Sequence, residues 1–179
     1  MSWRWSAAAF ALASLLSSTR FCEGQEFRLE SVGARFGFYP FGAGSHFYQA
    51  EAFANYDLPW KWDLGRQWSL QSRLDGSLGW LGEADVNSVI GSVGPSLVLA
   101  REKLPISFEG GVSATGLSRS DFRDKDFGQL FQFTSHLGLN FDLGAGVQII
   151  SRFQHMSNAG ISPHNPGLNL FMFGASYLF

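Results

Sequence analysis

The stretch from Trp68 to Trp80 limits the possible fold more than any other part of this 179-residue chain. Trp68, Leu70, Leu74, Leu78 and Trp80 share one parity, and Ser69, Gln71, Arg73, Asp75, Ser77 and Gly79 share the other. A period of two marks a strand with one apolar and one polar face. Tryptophans stand at both ends of the apolar face, as they do in interfacial aromatic belts. The run is long enough for a tilted strand to cross a bilayer. A soluble sandwich strand alternates over only a few residues, so this stretch favours a membrane barrel.

The pattern recurs along the chain. Val32, Ala34, Phe36 and Phe38 oppose Ser31, Gly33, Arg35 and Gly37. Tyr48, Ala50, Ala52, Ala54 and Tyr56 oppose Gln49, Glu51, Phe53, Asn55 and Asp57. In a fourth strand Val93, Pro95, Leu97 and Leu99 face outward, although Pro95 lacks a donor that a closed sheet would use. Ile106, Phe108, Val112 and Ala114 supply a fifth strand, and Phe131, Phe133, Leu137, Leu139 and Phe141 a sixth. Ile149, Ser151, Phe153, His155 and Ser157 share the outward face of a seventh. Phe171, Phe173, Ala175, Tyr177 and Phe179 end the chain as an eighth.

These segments predict an all-β fold, an eight-stranded antiparallel transmembrane β-barrel of the bacterial outer-membrane type. Eight is the smallest usual closed number, and side chains fill such a barrel. Inward Arg35, Glu51, Asp57, Arg73, Asp75 and Glu109 are read as a packed, mutually paired interior rather than a transport path. With both termini periplasmic, residues 102–104 and 142–144 become short periplasmic turns, and residues 59–66 a longer one. Residues 39–45, 116–127 and 158–168 become outer loops. The charges at Arg119, Asp121, Arg123, Asp124, Lys125 and Asp126 are read as a solvated loop.

Composition agrees. Only 16% of residues are charged, against 18 Phe, 6 Trp and 21 Gly, and the formal net charge of −2 offers no basic face for nucleic acid. Trp5 to Leu16 is an apolar run behind a single arginine, too short to span a membrane as a helix. Residues 1–24 are therefore expected to be a signal peptide, and residues 25–179 the barrel domain. The only cysteine, Cys22, would leave with the signal, so no disulfide is expected.

The chemistry concentrates near the end of the chain. A histidine on a lipid-facing strand carries a desolvation cost unless it finds partners. Asn169 shares the outward parity of Phe171, so a hairpin around residues 158–168 brings it beside His155. Residues two apart on one face have Cα atoms about 7 Å apart, and leaning side chains can close that gap. Ser157 as nucleophile, His155 as base and Asn169 as orienter make a serine-hydrolase arrangement. Asn158, Gly160, Asn165 and Gly167 supply loop amides for an oxyanion. Phe153, Phe171 and Phe173 lie along the same outward face and suit an acyl chain. No metal or other cofactor is expected, because His46, His136, His155 and His164 lack ligand spacing.

His155-Met156-Ser157-Asn158, followed by Asn165-Pro166-Gly167-Leu168-Asn169 and a terminal aromatic strand, resembles the PagL family of outer-membrane lipid A 3-O-deacylases. The close resemblance covers this hairpin; elsewhere it is one of architecture and length. It implies a barrel with its active site on the outer surface and a Ser-His-Glu mechanism. It also implies lipid A, or lipopolysaccharide, as substrate and the outer-membrane bilayer as partner. The family's histidine and serine fall on His155 and Ser157, the following asparagine on Asn158, and the oxyanion-hole asparagine on Asn165. Its catalytic glutamate falls on Asn169, a departure that weakens support for the imidazolium.

A lipid A deacylase is the leading expectation. A non-catalytic barrel that keeps the motif as a relic is the alternative, and a secreted soluble β-domain is a third reading. Either barrel is compatible with a homodimer.

Overall fold

The computed structural model describes residues 20–21, 27–40 and 46–179. The expected signal peptide and its cleavage site lie outside these residues, apart from Arg20–Phe21, which pair with Asp63 and Trp62. So does most of the loop expected at residues 39–45. Eight longer strands follow. They are β1 (Arg28–Phe38), β2 (Phe47–Gly65), β3 (Trp68–Glu83), β4 (Val86–Arg101), β5 (Ile106–Leu117), β6 (Phe131–Gly144), β7 (Val147–Ser157) and β8 (Leu168–Leu178). Each pairs antiparallel with the next, and β8 pairs with β1, so the sheet closes on itself. Closure leaves no strand edge unpaired, the condition for a sheet in hydrocarbon.

The outward and inward sets follow the sequence parity in every strand. Leu78, Trp80, Phe108, Leu137, Phe173 and Tyr177 are exposed on the wall, whereas Arg35, Glu51, Asp57, Arg73, Asp75 and Glu109 are buried inside. Pro95 does point outward in β4. The β4–β5 ladder pairs Val93 with Ala114 and Ser96 with Gly111, keeping one register across the proline. The missing N–H is thus absorbed locally.

Two turns differ from expectation. Residues 59–66 are not a loop: β2 continues through them to Gly65, and the hairpin consists of Arg66 and Gln67 alone. Both adopt left-handed φ values, 51° and 69°. That fits a type I′ turn, which the sequence conceals because neither residue is Gly, Asn or Asp. Pro59 sits instead in a bulge between Asp57 and Lys61. Side chains of β3 serve the bulged carbonyls: Gln71 Nε2 donates to Leu58 O at 2.9 Å, and Ser72 Oγ to Trp60 O at 2.8 Å. The turn expected at 142–144 falls at Ala145–Gly146.

The interior is layered. Its middle is a charged network centred on Glu109, which accepts from Arg152 Nη2 (2.6 Å), Arg152 Nε (2.8 Å), Arg73 Nη2 (2.6 Å) and Asn140 Nδ2 (2.9 Å). Arg73 also reaches Glu30 at 2.9 Å, and Arg35 pairs with Glu51. Inward glycines make room for these long side chains. A Cβ on Gly138 would stand 2.9 Å from Glu109 Cγ, and one on Gly174 would stand 2.6 Å from Arg35 Cβ.

Toward the end that carries the long loops, the filling becomes apolar. Phe47, Leu81, Ile90, Leu117, Met156, Leu168, Leu170 and Met172 form a buried cluster. The loop at residues 118–130 contributes Phe122 and Phe127, whose rings lie 5.3 and 6.0 Å from that of Phe47. Reading this loop as merely solvated is therefore corrected. Asp121, Arg123 and Asp124 are exposed, but two phenylalanines anchor the loop in the barrel mouth.

Because Glu109 is shared by two buried guanidinium groups, Glu109→Gln strands positive charge in the interior. Breaking a buried ion pair from one side costs about 3–5 kcal/mol. Denaturant unfolding of the barrel in lipid vesicles should register a loss of that order; a loss below about 1 kcal/mol would mean that the network contributes little.

Candidate active site

Strand β7 ends at Ser157, β8 begins at Leu168, and residues 158–167 connect them. The register sets His155 directly opposite Asn169, and Phe153 opposite Phe171. Both polar side chains point outward, and His155 Nδ1 lies 2.7 Å from Asn169 Oδ1. An amide oxygen accepts only, so Nδ1 carries the proton and Nε2 keeps a free lone pair. The contact therefore selects the tautomer a general base requires. Behind this pair, Met156, Leu168, Leu170 and Met172 are almost wholly buried, giving the two strands a close-packed backing.

Ser157 is half-buried on the same outward face as His155, and its hydroxyl makes no side-chain hydrogen bond among the described residues. The structure thus joins His155 to Asn169 and leaves Ser157 adjacent with a free hydroxyl. Nucleophile–base contacts are commonly loose before substrate arrives.

The connecting loop is strongly specified. Ile161 N donates to Asn158 O at 3.1 Å, and Ala159 and Gly160 have φ values of 54° and 80°, the pattern of a type I′ turn. Asn158 is fully buried: its Nδ2 donates to Phe127 O (3.1 Å) and His164 O (2.7 Å), while its Oδ1 accepts from Gly160 N (2.9 Å). Its own backbone N–H donates to Asn165 Oδ1 at 3.0 Å. The amides of Asn158 and Gly160, expected to face an oxyanion, are therefore engaged inside the loop. Asn165 differs. With Oδ1 held by a backbone donor, its amide orientation is fixed and its exposed side chain directs Nδ2 elsewhere.

Gly167 closes the loop in a left-handed conformation, φ 62°, and is buried. A Cβ there would lie 3.0 Å from His155 Cε1 and 3.7 Å from Nε2, so only glycine lets the backbone pass so close to the ring. Lys125 Nζ, from the 118–130 loop, donates to Gly167 O at 2.9 Å. On the other side of the histidine, β6 sets Ser135 opposite His155 and Phe133 opposite Ser157. Ser135 and Lys125 are site neighbours that the sequence pattern does not point out. Counting back from the β6–β7 turn finds Ser135, whereas Lys125 arrives through a loop with no periodic signal.

A family model described as lipid A 3-O-deacylase (PagL) matches residues 48–178. The chain belongs to the PagL family. The lipid A deacylase PagL of Bordetella bronchiseptica (strain ATCC BAA-588 / NCTC 13252 / RB50) is 33% identical over 153 residues, covering 78% of this chain and 80% of that protein. A crystal structure of the outer-membrane enzyme PagL superposes with a TM-score of 0.70 at 19% identity, covering 82% of this chain and 98% of that one. This likeness concerns the barrel itself. PagL membership identifies the chain as an outer-membrane hydrolase of the lipid A deacylase family.

Replacing Asn158 by Ala would take the partners of His164 O and Gly160 N and leave Phe127 O with Gln132 Nε2 alone, at about 1–3 kcal/mol for each buried group left unpaired. Asn158→Ala should keep the closed barrel but make residues 158–167 sensitive to limited proteolysis. Protease resistance equal to the parent would show that the loop is held by other means.

Proposed function

We propose that this PagL-family protein hydrolyses the 3-O-linked acyl ester of lipid A, with Ser157 as nucleophile, His155 as general base and Asn169 as the group that orients the imidazole. The observation that carries this reading is the 2.7 Å contact between His155 Nδ1 and Asn169 Oδ1 on the lipid-facing wall, beside an uncommitted serine hydroxyl. Ser157 Oγ attacks the ester carbonyl carbon as its proton passes to His155 Nε2. Asn165 Nδ2 donates to the oxyanion that forms. Collapse of the tetrahedral species expels the sugar oxygen, which takes the proton from His155. Water, activated by the same nitrogen, then cleaves the acyl–serine ester and frees the fatty acid.

The location suits a substrate that stays in its leaflet. The loop-bearing end of the barrel faces the exterior, so the site lies at the headgroup boundary where ester linkages sit. Phe153 and Phe171 pack with ring centroids 5.1 Å apart just below the polar pair. Phe173 continues the line and stacks with Phe38 of β1 at 6.4 Å. An acyl chain lying along these rings would keep its apolar surface out of water.

Asn169 sets the strength of the catalyst. Its neutral oxygen holds the tautomer but gives the imidazolium no counter-charge. In a serine protease, an Asp-to-Asn change at the orienting position lowers kcat about 10⁴-fold. The same asparagine favours the second reading, a barrel that has kept the fold and lost the activity.

Mass spectrometry of lipid A from cells expressing the chain separates the two. Loss of the 3-linked acyl group is expected with the parent, and no loss with Ser157→Ala or His155→Ala in correctly inserted barrels. Retained turnover in either variant would remove that residue from the catalytic role. Asn169→Glu should raise kcat, with about 10⁴-fold as the ceiling set by the serine-protease comparison. An unmodified lipid A profile with the parent, converted to deacylated product by Asn169→Glu, would establish the second reading.

A further inference from the structure

We propose that Lys125 is a positioning residue for His155, acting through the backbone of Gly167; the inference rests on His155 being the general base. The ring of His155 is held at Nδ1 by Asn169, and its Cε1–Nε2 edge faces Gly167, so close that a Cβ would lie 3.0 Å from Cε1. How far that edge can swing toward or away from Ser157 therefore depends on where the Gly167 peptide sits. Its carbonyl is fixed by one side chain from outside its own hairpin, Lys125, whose Nζ donates at 2.9 Å. A donor that is itself charged makes this bond stronger than a neutral one.

Lys125 is well placed to act as a fixed post. Its ammonium also lies 5.2 Å from the centroid of the Tyr39 ring, so a second contact restrains it. The loop that carries it is anchored separately. Phe122 and Phe127 are buried at 5% and 1% exposure, and Asp124 N donates to Glu83 Oε2 at 3.0 Å. The loops are also joined without it, because Asn158 Nδ2 donates to Phe127 O at 3.1 Å. Removing the ammonium therefore gives up the Tyr39 contact and frees the peptide against the imidazole, while both loops stay attached. A displacement of about 1 Å at a reacting group can lower turnover about 100-fold.

The test compares full-length parent, Lys125→Met, Lys125→Gln and Lys125→Arg in lipid A-containing detergent micelles, each checked for the folded barrel by heat-modifiable electrophoretic migration. Lys125→Met should lower kcat by about 10- to 100-fold with KM unchanged, and Lys125→Arg should restore most of it. Lys125→Gln, which retains a neutral donor, should fall between them and decides the matter if Lys125→Met does not fold. In parallel, the Hε1–Cε1 NMR correlation of His155, identified by its loss in His155→Gln, should shift or broaden in Lys125→Met and return in Lys125→Arg.

A raised KM with kcat intact would overturn the proposal and make Lys125 a contact for the anionic headgroup. An unmoved kcat together with an unmoved His155 signal would also overturn it. If the parent itself shows no deacylation, the catalytic reading fails, and the NMR signal alone decides whether Lys125 positions the ring.

Discussion

Hydrocarbon offers no hydrogen-bond partner to a peptide group, and the organisation of this chain follows from that constraint. It requires the sheet to close, closure fixes the register, and register fixes which residues meet on the wall. His155 and Asn169 meet because β7 and β8 pair rung by rung from Val147 with Tyr177 to Met156 with Leu168. A slip of one residue in either strand would turn its member of the pair into the lumen. The ladder tolerates few interruptions. At Pro95 it resumes in the same register, and at Pro59 the extra residues are accommodated by a bulge whose carbonyls are served by Gln71 and Ser72.

The interior answers a different requirement. Eight strands enclose a space that side chains must fill, and here charged groups fill the middle while apolar groups fill the loop-bearing end. Glu109 between Arg73 and Arg152 neutralises charge where water is scarce, with Gly138 supplying the space. The apolar filling serves the site more directly. Met156, Leu168, Leu170 and Met172 back the two strands that carry it, and Phe122 and Phe127 bring a loop down beside the connecting turn. The polar pair on the wall is thus mounted on a close-packed support.

Strand parity makes most of the barrel legible in the sequence. From Trp68 to Trp80 the alternation alone separates wall from lumen, and parity with a short loop predicts the opposition of His155 and Asn169. What stays hidden lacks a period. Arg66 and Gln67 form a tight turn without turn-favouring residues, so Pro59 suggests a loop that does not form. Phe122 and Phe127 lie within a charged stretch, and nothing local reveals that they fold back into the barrel mouth. The hydrogen bonds of Asn158 are equally unreadable, because an amide that folds into its loop and one whose Nδ2 stays outside look alike in sequence. Only the partners distinguish them: Phe127 O, His164 O and Gly160 N surround the first, while Asn165 Nδ2 is left outside.

The filled lumen has a consequence for the wall around it. Porins have more strands and enclose an aqueous channel, whereas an eight-stranded barrel leaves a space that side chains fill. In this one a layer of ion pairs is followed by a cap of Phe47, Phe122, Phe127, Leu81 and Met172 that meets across the mouth. The wall is therefore free to carry chemistry while side chains fill the axis among the described residues. Packing along the axis and chemistry on the wall are thus separate properties of one sheet, and a change in one need not disturb the other.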